Sequence, residues 1–563
     1  MTRASPDPGR TSLADALAVA RNEAARAWLR AAIRAAGHAL RIDLRARVAG
    51  HARDQARLAR AYGIGAATPI VGYGDDVRRS IEAFAARCAA RGVPVRFAAT
   101  SGSTSTPKRI AFTAARLRAI RLGSFSVAAR TLLAYGVRRP GLFILAGIGK
   151  DDSLSSLLLD ADETARPPYL AGLLMPARHL GHPALAPLLR DHGATAVRLL
   201  LLALADPGIL YSTNPSTLAV FLAQVHERWE ESTALARRFA RERAGLDPAV
   251  VRVARRVVSP GFATRLERIA AARAPLPVAA WLPGLECYAC WDGGYVRPFL
   301  DRIEAYLPAG RFRHVPMYSM STETVETLTD FDRAGRPRFL PIAPRVLYEF
   351  VPEGAEDAPS NLVAAADLEP GRAYAMVVSD PYGLVRYQTD DLFLCAGKVG
   401  AVPDLRFLRR RGLSYSFTGE KLTGEQLTET YDALRAAVSS LREAGVQMTC
   451  FPSLPPALRL PRYRLVLAHP GARAPADLAA DGAGAAIGTR FDRMLGERNR
   501  EFEAKLSSGR LGPTQVVVAS YDALAARLHG RAGEGRAWES QFKLLPLYRR
   551  LYEDVFGGED AAP

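Results

Sequence analysis

The spacing of apolar and polar positions predicts helices and strands that alternate along the first 411 residues. Apolar residues recur at helical spacing over residues 12–60, and a second amphipathic helix is predicted from Asp75 to a capping Gly92. A strand is predicted over residues 93–100, and helix over 214–243. Further strand-like runs are GLFILAG, RHVPMYSM, VLYEFV, AYAMVVS, LVRYQTDDLFLCAG and LRFLRR. This interleaving predicts α/β layers rather than a helical bundle or a β-sandwich.

The pattern changes after Arg411, where a second and smaller α/β unit is predicted. A turn rich in Gly, Ser and Thr at 412–424 precedes a helix at about 424–445 and the strand YRLVLAHP. A Gly/Ala/Pro loop at 470–488, a helix at about 489–506 and the strand QVVVAS follow. We therefore predict a domain at 1–411 with a helical segment at 1–75, a hinge at 412–424 and a smaller domain at 425–563.

Composition places the chain among ordinary globular proteins. Its 563 residues are 48% hydrophobic and 23% charged, which excludes disordered and collagen-like classes. The most continuous apolar run, 199–205, is far shorter than the ~20 residues that span a bilayer. Five scattered cysteines do not suggest a disulfide framework. We expect a cytoplasmic protein without a membrane partner.

The formal net charge of +18 comes from basic residues that are spread along the chain. The densest cluster, Arg409 to Arg411, is too short for a nucleic-acid tract, so no nucleic-acid partner is expected. Lysine occurs at only six positions, and every other basic side chain apart from histidine is arginine. A retained lysine is a candidate for a site that needs a compact ammonium group, although random retention is the alternative.

The first candidate motif is a hydroxyl-rich loop that follows the strand VRFAAT and precedes a helix that Thr113 could cap. Its hydroxyls, glycine and lysine could cradle a polyphosphate, and they are Ser101, Gly102, Ser103, Thr104 and Lys108. It is not a Walker loop, and alone it could be a solvated loop. It matches the Thr-Ser-Gly-Ser-Thr-Gly-x-Pro-Lys phosphate loop of adenylate-forming enzymes, with Ser105 in place of the second glycine.

A second string, from Tyr318 to Glu323, follows the strand RHVPMY. The Glu323 carboxylate could hold Mg²⁺ against ATP phosphates, and the hydroxyls of Ser321 and Thr322 could reach the α-phosphate or an acyl oxygen. The alternative is that Ser321 simply begins a helix.

A third string, from Gly383 to Asp391, follows the strand AYAMVVS. An aspartate at a strand end, here Asp391, could accept both hydroxyls of a ribose. The alternative is that Asp390 and Asp391 are capping groups in a turn.

The three strings, in this order and spacing, resemble the Gretchen Hagen family of acyl-acid amido synthetases. This family is the auxin- and jasmonate-conjugating branch of the adenylate-forming superfamily. Further similar segments are Leu347–Pro352, Asn499–Phe502 and Gln541–Pro546, so the resemblance runs from about residue 95 to 548. The chain is identified as a suspected bacterial member. Three positions depart from the family pattern: Ser105, Asp390 in place of a glycine, and Tyr318, which lies one residue farther from Glu323.

The resemblance implies a fold and a set of roles. The implied fold is α/β, with a large N-terminal adenylate-forming domain of layered sheets and helices and a smaller C-terminal α/β lid domain. The lid would rotate between two half-reactions. The implied ATP-binding residues are Ser101, Gly102, Ser103, Thr104, Lys108, Tyr318, Ser321, Asp391, Arg410 and Lys421. The implied catalytic residues are Thr322, Glu323 and Lys543, with Glu323 also binding Mg²⁺.

The implied activity is ATP-dependent conversion of a carboxylic acid into an acyl-adenylate, followed by transfer to an amine or amino-acid acceptor. One alternative is transfer to a thiol of coenzyme A or a carrier protein. Another is a non-catalytic binding protein on a degenerate adenylation fold. A zinc site at Cys287 and Cys290 is disfavoured, because one pair without further ligands is a weak signal and two core thiols fit a buried strand.

Overall fold

The computed structural model has two compact units, one formed by residues 1–99 and 109–409 and the other by residues 100–108 and 410–563. Each unit is described by itself. The described residues are 12–100, 108–139, 142–145, 154, 157–158, 186–212, 215–242, 246, 248–293, 297–317, 320–412, 414–443, 446–455, 460–469, 475–529 and 544–557. Mixed helices and sheets confirm the predicted α/β class.

Residues 12–60, predicted to be helical, form one long helix, α1 (Leu13–Ala61), which Ser12 caps by accepting a hydrogen bond from the Asp15 amide. A glycine inside a helix normally costs stability, yet Gly37 has a packing reason. A Cβ atom at this position would lie 2.6 Å from Cδ1 of Leu133, on the helix α3 (Ala114–Ala134). Gly37 therefore lets α1 and α3 approach closely.

The helix and the strand predicted before the first motif are present, with shorter bounds than predicted. The helix α2 (Asp75–Ala89) precedes β1 (Val95–Thr100), which pairs with β2 (Lys108–Thr113). Thr113 caps α3 by accepting a hydrogen bond from the Arg116 amide at 3.2 Å.

Seven further helices have described bounds in the first unit. They are α4 (Ala186–Ala205), α5 (Pro215–Glu227), α6 (Trp229–Arg241), α7 (Pro248–Arg255), α8 (Phe262–Ala271), α9 (Val278–Trp281) and α10 (Arg297–Tyr306). The helix predicted over 214–243 is thus two helices, because Arg228 between them leaves helical backbone angles.

One sheet of the first unit is parallel. Its strands are β3 (Leu142–Ile144), β4 (Ile209–Tyr211), β5 (Cys287–Cys290) and β6 (Arg313–Pro316), in that spatial order. Because the strands are parallel, their amino ends share one edge and their carboxyl ends share the other. Residues that precede the four strands can therefore meet at one side, and residues that follow them at the opposite side.

A five-stranded sheet carries the third motif. Its strands are β9 (Leu347–Pro352), β10 (Val363–Ala364), β11 (Ala373–Ser379), β12 (Tyr387–Val399) and β13 (Val402–Arg410), in the order β10-β9-β11-β12-β13. A separate hairpin pairs β7 (Leu328–Phe331) with β8 (Pro337–Leu340). Tyr348, Phe350 and Tyr387 are almost fully buried, and they anchor the apolar core beneath this sheet.

The second unit is built on a three-stranded sheet. Its strands are β16 (Gln447–Ser453), β17 (Arg462–His469) and β18 (Gln515–Ser520), preceded by the short pair β14 (Ser414–Tyr415) and β15 (Leu422–Thr423). Its helices are α11 (Gly424–Ala437), α12 (Ser439–Glu443), α13 (Ala476–Ala479), α14 (Ala483–Arg498), α15 (Arg500–Ser507), α16 (Tyr521–His529) and α17 (Tyr552–Phe556).

Local signals in the second unit agree closely with its observed elements. A capping box between Thr423 and Gln426 begins α11, and the strand QVVVAS is β18. The helix expected from about residue 489 begins earlier, at Ala483. The sequence does not reveal β16, which contains Pro452 and lies at the sheet edge, where proline is tolerated.

Among the helices that the structure describes, none is both long and apolar enough to cross a membrane.

Candidate functional site

The loop that follows β6 forms one wall of the candidate site in the first unit. Residues 320–327 adopt no regular secondary structure, so the alternative that Ser321 begins a helix is wrong. The Ser321 amide donates to the carbonyl of Thr324 at 3.0 Å and to Oε1 of Glu326 at 2.9 Å. The Thr324 amide donates back to Oγ of Ser321 at 3.3 Å. The loop is thus a closed turn that presents Thr322, which is half-buried, and Glu323.

A buried arginine on α3 holds this loop in place. Nη2 of Arg116 donates to the carbonyl of Glu323 at 2.8 Å and to Oδ2 of Asp380 at 3.0 Å. Burial lowers the pKa of Arg116 and raises that of Asp380, while their mutual attraction opposes both shifts. Arg116 therefore fixes the backbone of Glu323 and leaves the carboxylate of Glu323 to other contacts.

Three buried carboxyl groups form what we call the acidic cluster: Glu323, Glu326 and Asp391. Glu326 is fully buried, and its pKa is raised to about 8, first by desolvation and then by the negative charge of Asp391. Its Oε2 has no hydrogen-bond partner among the described residues. The hydroxyl of Tyr387 donates to Oε1 of Glu323 at 3.4 Å. The cluster concentrates negative charge where water is excluded, which favours a bound cation.

Asp391 lies on β12 at a local irregularity of the sheet. The register between β11 and β12 shifts between Ala375 and Val377 of β11, next to Asp390 and Asp391 of β12. Asp390 has φ 63°, the left-handed region in which glycine is least strained and aspartate is better tolerated than most residues. Where the resembled family has a glycine, Asp390 therefore adopts the backbone that a glycine would adopt.

The backbone of the two aspartates is held by their neighbours. The amide of Asp390 donates to Oε1 of Gln388, and that of Asp391 donates to Oγ1 of Thr389, both at 3.2 Å. In these contacts the two aspartates donate their backbone amides, and the side chains of Gln388 and Thr389 act as the caps. This arrangement does not support the alternative in which their carboxylates serve only as turn caps.

Two of the similar segments meet across the five-stranded sheet. Arg386 donates from Nε and Nη2 to the two carboxylate oxygens of Glu349, at 3.0 and 2.8 Å. Gly383 has φ 112°, and a Cβ atom there would lie 2.9 Å from Cα of Ile81 on α2. Both features support the strand that carries Asp391, so this part of the third motif is structural.

The remaining predicted residues fall into two groups. Lys108 is buried at the start of β2, Arg410 ends β13, and Lys421 lies in the predicted hinge with φ 45°. Ser101, Gly102, Ser103, Thr104, Tyr318 and Lys543 lie outside the described residues. Their roles stay predictions.

The chain just after Lys543 is attached to the sheet of the second unit. Oγ1 of Thr449 donates to the carbonyl of Leu545 at 2.7 Å. The hydroxyl of Tyr431 donates to the carbonyl of Pro546, also at 2.7 Å. The Tyr548 ring stacks on Phe451 at a centroid distance of 4.7 Å. The position of residues 545–548 is therefore defined by β16 and its neighbours.

The hinge turn is also secured within the second unit. The Glu420 carboxylate is fully buried and accepts from the amides of Phe417 and Thr418 and from the hydroxyl of Tyr463. The side chain of Asn499 donates to the Glu420 carbonyl at 2.7 Å. Asn499, a residue of the similar Asn-x-x-Phe segment, thus stabilises the turn that presents Lys421.

Cys287 and Cys290 are buried in β5, as predicted for core thiols. Burial raises the pKa of both thiols, so the reactive thiolate form is disfavoured. Among the described residues, no group of three or more His, Cys, Asp or Glu side chains has the arrangement of a metal site. This is compatible with Mg²⁺ bound by one or two carboxylates together with substrate phosphates.

Glu326 is the residue that the sequence analysis missed. The available signal was the repeat of glutamate three residues after Glu323, in a segment expected to follow a strand end. Only its burial and its proximity to the charge of Asp391 distinguish it from a surface glutamate.

Comparisons with known proteins agree with the family resemblance over parts of the chain. A putative indole-3-acetic acid-amido synthetase GH3.10 of Oryza sativa subsp. japonica is 34% identical over 123 residues, which cover 22% of this chain and 25% of that protein. A probable indole-3-acetic acid-amido synthetase GH3.9 of the same organism is 30% identical over 188 residues, which cover 31% and 41%. The matches thus span well under half the length of these relatives. These named relatives are plant proteins, and a bacterial origin has no support.

Two solved structures show weaker similarity. The GH3.15 acyl acid amido synthetase in complex with 2,4-DB has a TM-score of 0.48 at 15% identity, covering 85% of this chain and 84% of that chain. A 2-hydroxyisobutyryl-CoA ligase has a TM-score of 0.38 at 15% identity, covering 85% and 79%. Residues 339–410 match the GH3 family central domain, and this segment contains Glu349, Arg386 and Asp391. The chain therefore carries a GH3 family central domain at residues 339–410.

Proposed function

We propose that this protein is an ATP-dependent ligase that activates a carboxylic acid as an acyl-adenylate and transfers the acyl group to an amine. The observation that carries the proposal is the acidic cluster, which joins the loop after β6 to Asp391 within the GH3 family central domain segment. Relatives of that segment are named amido synthetases. An amine or amino acid is accordingly the proposed acceptor.

The proposed reaction has two steps because a carboxylate is a poor electrophile. In the first, a carboxylate oxygen of the acid attacks the α-phosphorus of ATP, and the bond to the bridging oxygen breaks to release pyrophosphate. In the second, the amine nitrogen attacks the acyl carbon, AMP leaves, and the amine loses a proton. Positioning and charge neutralisation are the main contributions that a protein makes to such transfers.

Within this proposal three segments of the chain bind the nucleotide. Asp391 accepts hydrogen bonds from the ribose hydroxyls, and the hydrogen bond from its amide to Oγ1 of Thr389 supports that role by holding its backbone. Ser321 and Thr322 face the α-phosphate, and the segment from Ser101 to Lys108 holds the other phosphates. Arg116 contributes indirectly, because it fixes the carbonyl of the residue beside Thr322.

The acidic cluster fits Mg²⁺ by its chemistry. Carboxylate oxygens are the ligands that Mg²⁺ prefers, and the buried Glu323 supplies them within the cluster. When bound, the cation would neutralise negative charge on the phosphates. Glu323 is the proposed ligand, and Glu326 carries a proton at neutral pH, consistent with its raised pKa.

The second unit is proposed to act as the lid. Lys543 supplies a positive charge to the adenylation step, and Arg410 and Lys421 belong to the hinge region. Residues 545–546, which follow this lysine in the chain, are attached to the second unit by hydrogen bonds from Thr449 and Tyr431. A cytoplasmic location, without nucleic-acid or membrane partners, completes the proposal.

The test is to measure pyrophosphate exchange and AMP release with Mg-ATP and a panel of carboxylic acids. Indole-3-acetic acid belongs in the panel because it appears in the names of the plant relatives. We expect acid-dependent AMP and pyrophosphate, followed by amide formation when an amino acid is added. ADP and phosphate as products would overturn the proposal, and activity only with thiols would redirect it to coenzyme A or a carrier protein. Inactivity with every acid would favour a binding protein.

A further inference from the structure

A second charged site lies in the first unit, at the amino ends of the parallel strands. A cavity of about 470 Å³ opens there, lined by four arginines from the segments that precede β3 and β6: Arg138, Arg139, Arg311 and Arg313. We call it the arginine cavity. Ligand cavities commonly measure about 300 to 1,000 Å³, so it can hold a small molecule. The acidic cluster involves the loop that follows β6, so the two sites belong to different ends of the strands.

The floor of the cavity is formed by a buried network of ion pairs and hydrogen bonds. Asp206, which precedes β4, is almost fully buried and pairs with Arg139, and its Oδ2 lies 3.6 Å from Nη1 of Arg265. Its Oδ1 accepts from the amide of Gly284 at 2.8 Å. A Cβ atom at Gly284 would lie 2.8 Å from Oδ2 of Asp206 and from Cδ of Arg139. A side chain at residue 284 would therefore displace this network, so the glycine keeps the floor of the cavity intact.

The rim carries more positive than negative charge. Glu286 accepts from the amide of Arg138 at 2.8 Å, and its carboxylate lies 3.9 Å from Nη2 of Arg313. The guanidinium of Arg138 is exposed and has no partner among the described residues, and that of Arg311 contacts only a carbonyl and an aromatic ring. Asp206 is already neutralised by Arg139 and Arg265. Two of the lining guanidiniums are thus available to an anion.

We propose that the arginine cavity binds a short phosphate chain of two or three phosphoryl groups, either free or as part of a nucleotide. Planar guanidinium forks match phosphate oxygens in pairs, and charge-assisted hydrogen bonds of this kind are strong. Arg138 and Arg311 face the same opening without a carboxylate partner among the described residues, so one anion can pair with both. The site is independent of the adenylation site and of the proposed ligase activity.

The experiment is calorimetric titration of the full chain with inorganic tripolyphosphate at low ionic strength. The test variant is Arg138→Gln with Arg311→Gln, and the matched control is Arg91→Gln with Arg442→Gln, which removes the same charge at exposed positions outside the cavity. We expect the test variant to weaken one binding event by about tenfold or more, because it removes two charge-assisted contacts, and the control to leave it unchanged. Equal binding by the test variant and the wild type would overturn the proposal.

A gain-of-affinity variant sharpens the test. Glu286→Gln removes a negative charge from the rim while its amide oxygen can still accept from the Arg138 amide. We expect tripolyphosphate to bind roughly threefold more tightly, because repulsion of the anion is reduced. Weaker binding would contradict the proposed position of the anion.

Two further ligands identify what the cavity recognises. If ATP and tripolyphosphate bind with equal affinity, and both affinities depend on Arg138 and Arg311, the cavity recognises only the phosphate groups. Tighter binding of ATP would identify a nucleotide as the ligand. Single-stranded RNA that binds at least about tenfold more tightly than tripolyphosphate would overturn the proposal in favour of a nucleic-acid surface.

Discussion

The acidic cluster and the arginine cavity show how burial changes what a charged residue can do. Glu323, Glu326 and Asp391 are buried close together, and the proton affinity of Glu326 rises strongly as a result. Arg138, Arg311 and Arg313 are exposed to water, which screens their mutual repulsion. The acidic cluster therefore depends on internal partners such as Arg116, whereas the arginine cavity can persist without them and bind an anion reversibly.

The largest expected contrast between the two regions concerns stability. Replacing Arg116 with leucine leaves Asp380 buried and unpaired, so we expect a loss of about 3 to 5 kcal/mol in the free energy of unfolding. Arg139→Leu should cost at most about 1 kcal/mol, because Arg139 is partly exposed and Arg265 still faces Asp206. Denaturant titration of both variants measures this difference.

A matched double variant separates lost charge pairing from lost packing. Adding Asp380→Asn to Arg116→Leu removes the unpaired charge, so part of the lost stability should return. Equal losses for Arg116→Leu and Arg139→Leu would show that burial does not distinguish the two regions.

The next effect concerns nucleotide binding by the acidic cluster. Asp391→Ala should weaken ATP binding by roughly 2 to 4 kcal/mol, the range for losing two charge-assisted hydrogen bonds. Asp390→Ala is the control, although its left-handed backbone adds a small stability cost of its own. Equilibrium ATP binding and a thermal unfolding curve for each variant are the measurements. Equal losses of affinity at the two positions would show that the pair is structural.

The acidic cluster also needs positive charge from elsewhere, and Lys543 is the proposed source. Lys543→Ala should slow adenylate formation by about 10² or more, the usual scale for losing one preorganised charged donor. Transfer from a supplied acyl-adenylate should be nearly unchanged, because the lid is proposed to have rotated by then. Arginine at this position should restore little of the rate of adenylate formation, since a planar guanidinium group does not replace a compact ammonium group.

Both half-reactions should be measured for Lys543→Ala and Lys543→Arg. Lys398→Ala is a suitable control, since the Lys398 ammonium donates to the carbonyl of Ala366 in the first unit. If both half-reactions fall together, or neither falls, Lys543 is not the cation of the adenylation step.

The smallest expected effect is a pH dependence of stability. The pKa of Glu326 in the folded protein, about 8, lies above its value in the unfolded chain, near 4.5. The folded state thus binds this proton more tightly, and the resulting stability is lost as pH rises from the unfolded pKa through the folded one. Between about pH 6 and pH 8, Glu326→Gln should therefore gain roughly 2 kcal/mol relative to the wild type.

Denaturant titrations of both proteins at several pH values between 5 and 8 measure this effect. A parallel pH dependence for the wild type and Glu326→Gln would contradict the raised pKa.

The expectation about lysines shows the limit of composition as a guide. Two of the six lysines have structural contacts: Lys398 donates to the Ala366 carbonyl and Lys505 pairs with Glu501, each at 2.6 Å. Retention of lysine in an arginine-rich chain therefore does not by itself mark a phosphate or carboxylate site. A phosphate or carboxylate site has to be inferred from the motif around each lysine.

Local patterns determined the elements that depend on near neighbours in the chain. The helical period of residues 12–60, the cap at Thr113 and the apolar run in QVVVAS each specify an element that the structure contains. The short strand β16 escaped detection because its polar residues and Pro452 are compatible with a strand only at the edge of a sheet. The hydrophobic period alone does not reveal which strand lies at an edge.

The sequence by itself determined the α/β class and the candidate motifs around Glu323 and Asp391. Only the tertiary structure decided that Glu326 belongs with them, that Asp390 adopts a glycine-like backbone and that four arginines share one cavity. The physical reason is distance along the chain. Arg116 and Asp380 are 264 residues apart in sequence, and their burial, which sets their pKa values, exists only after folding brings them together.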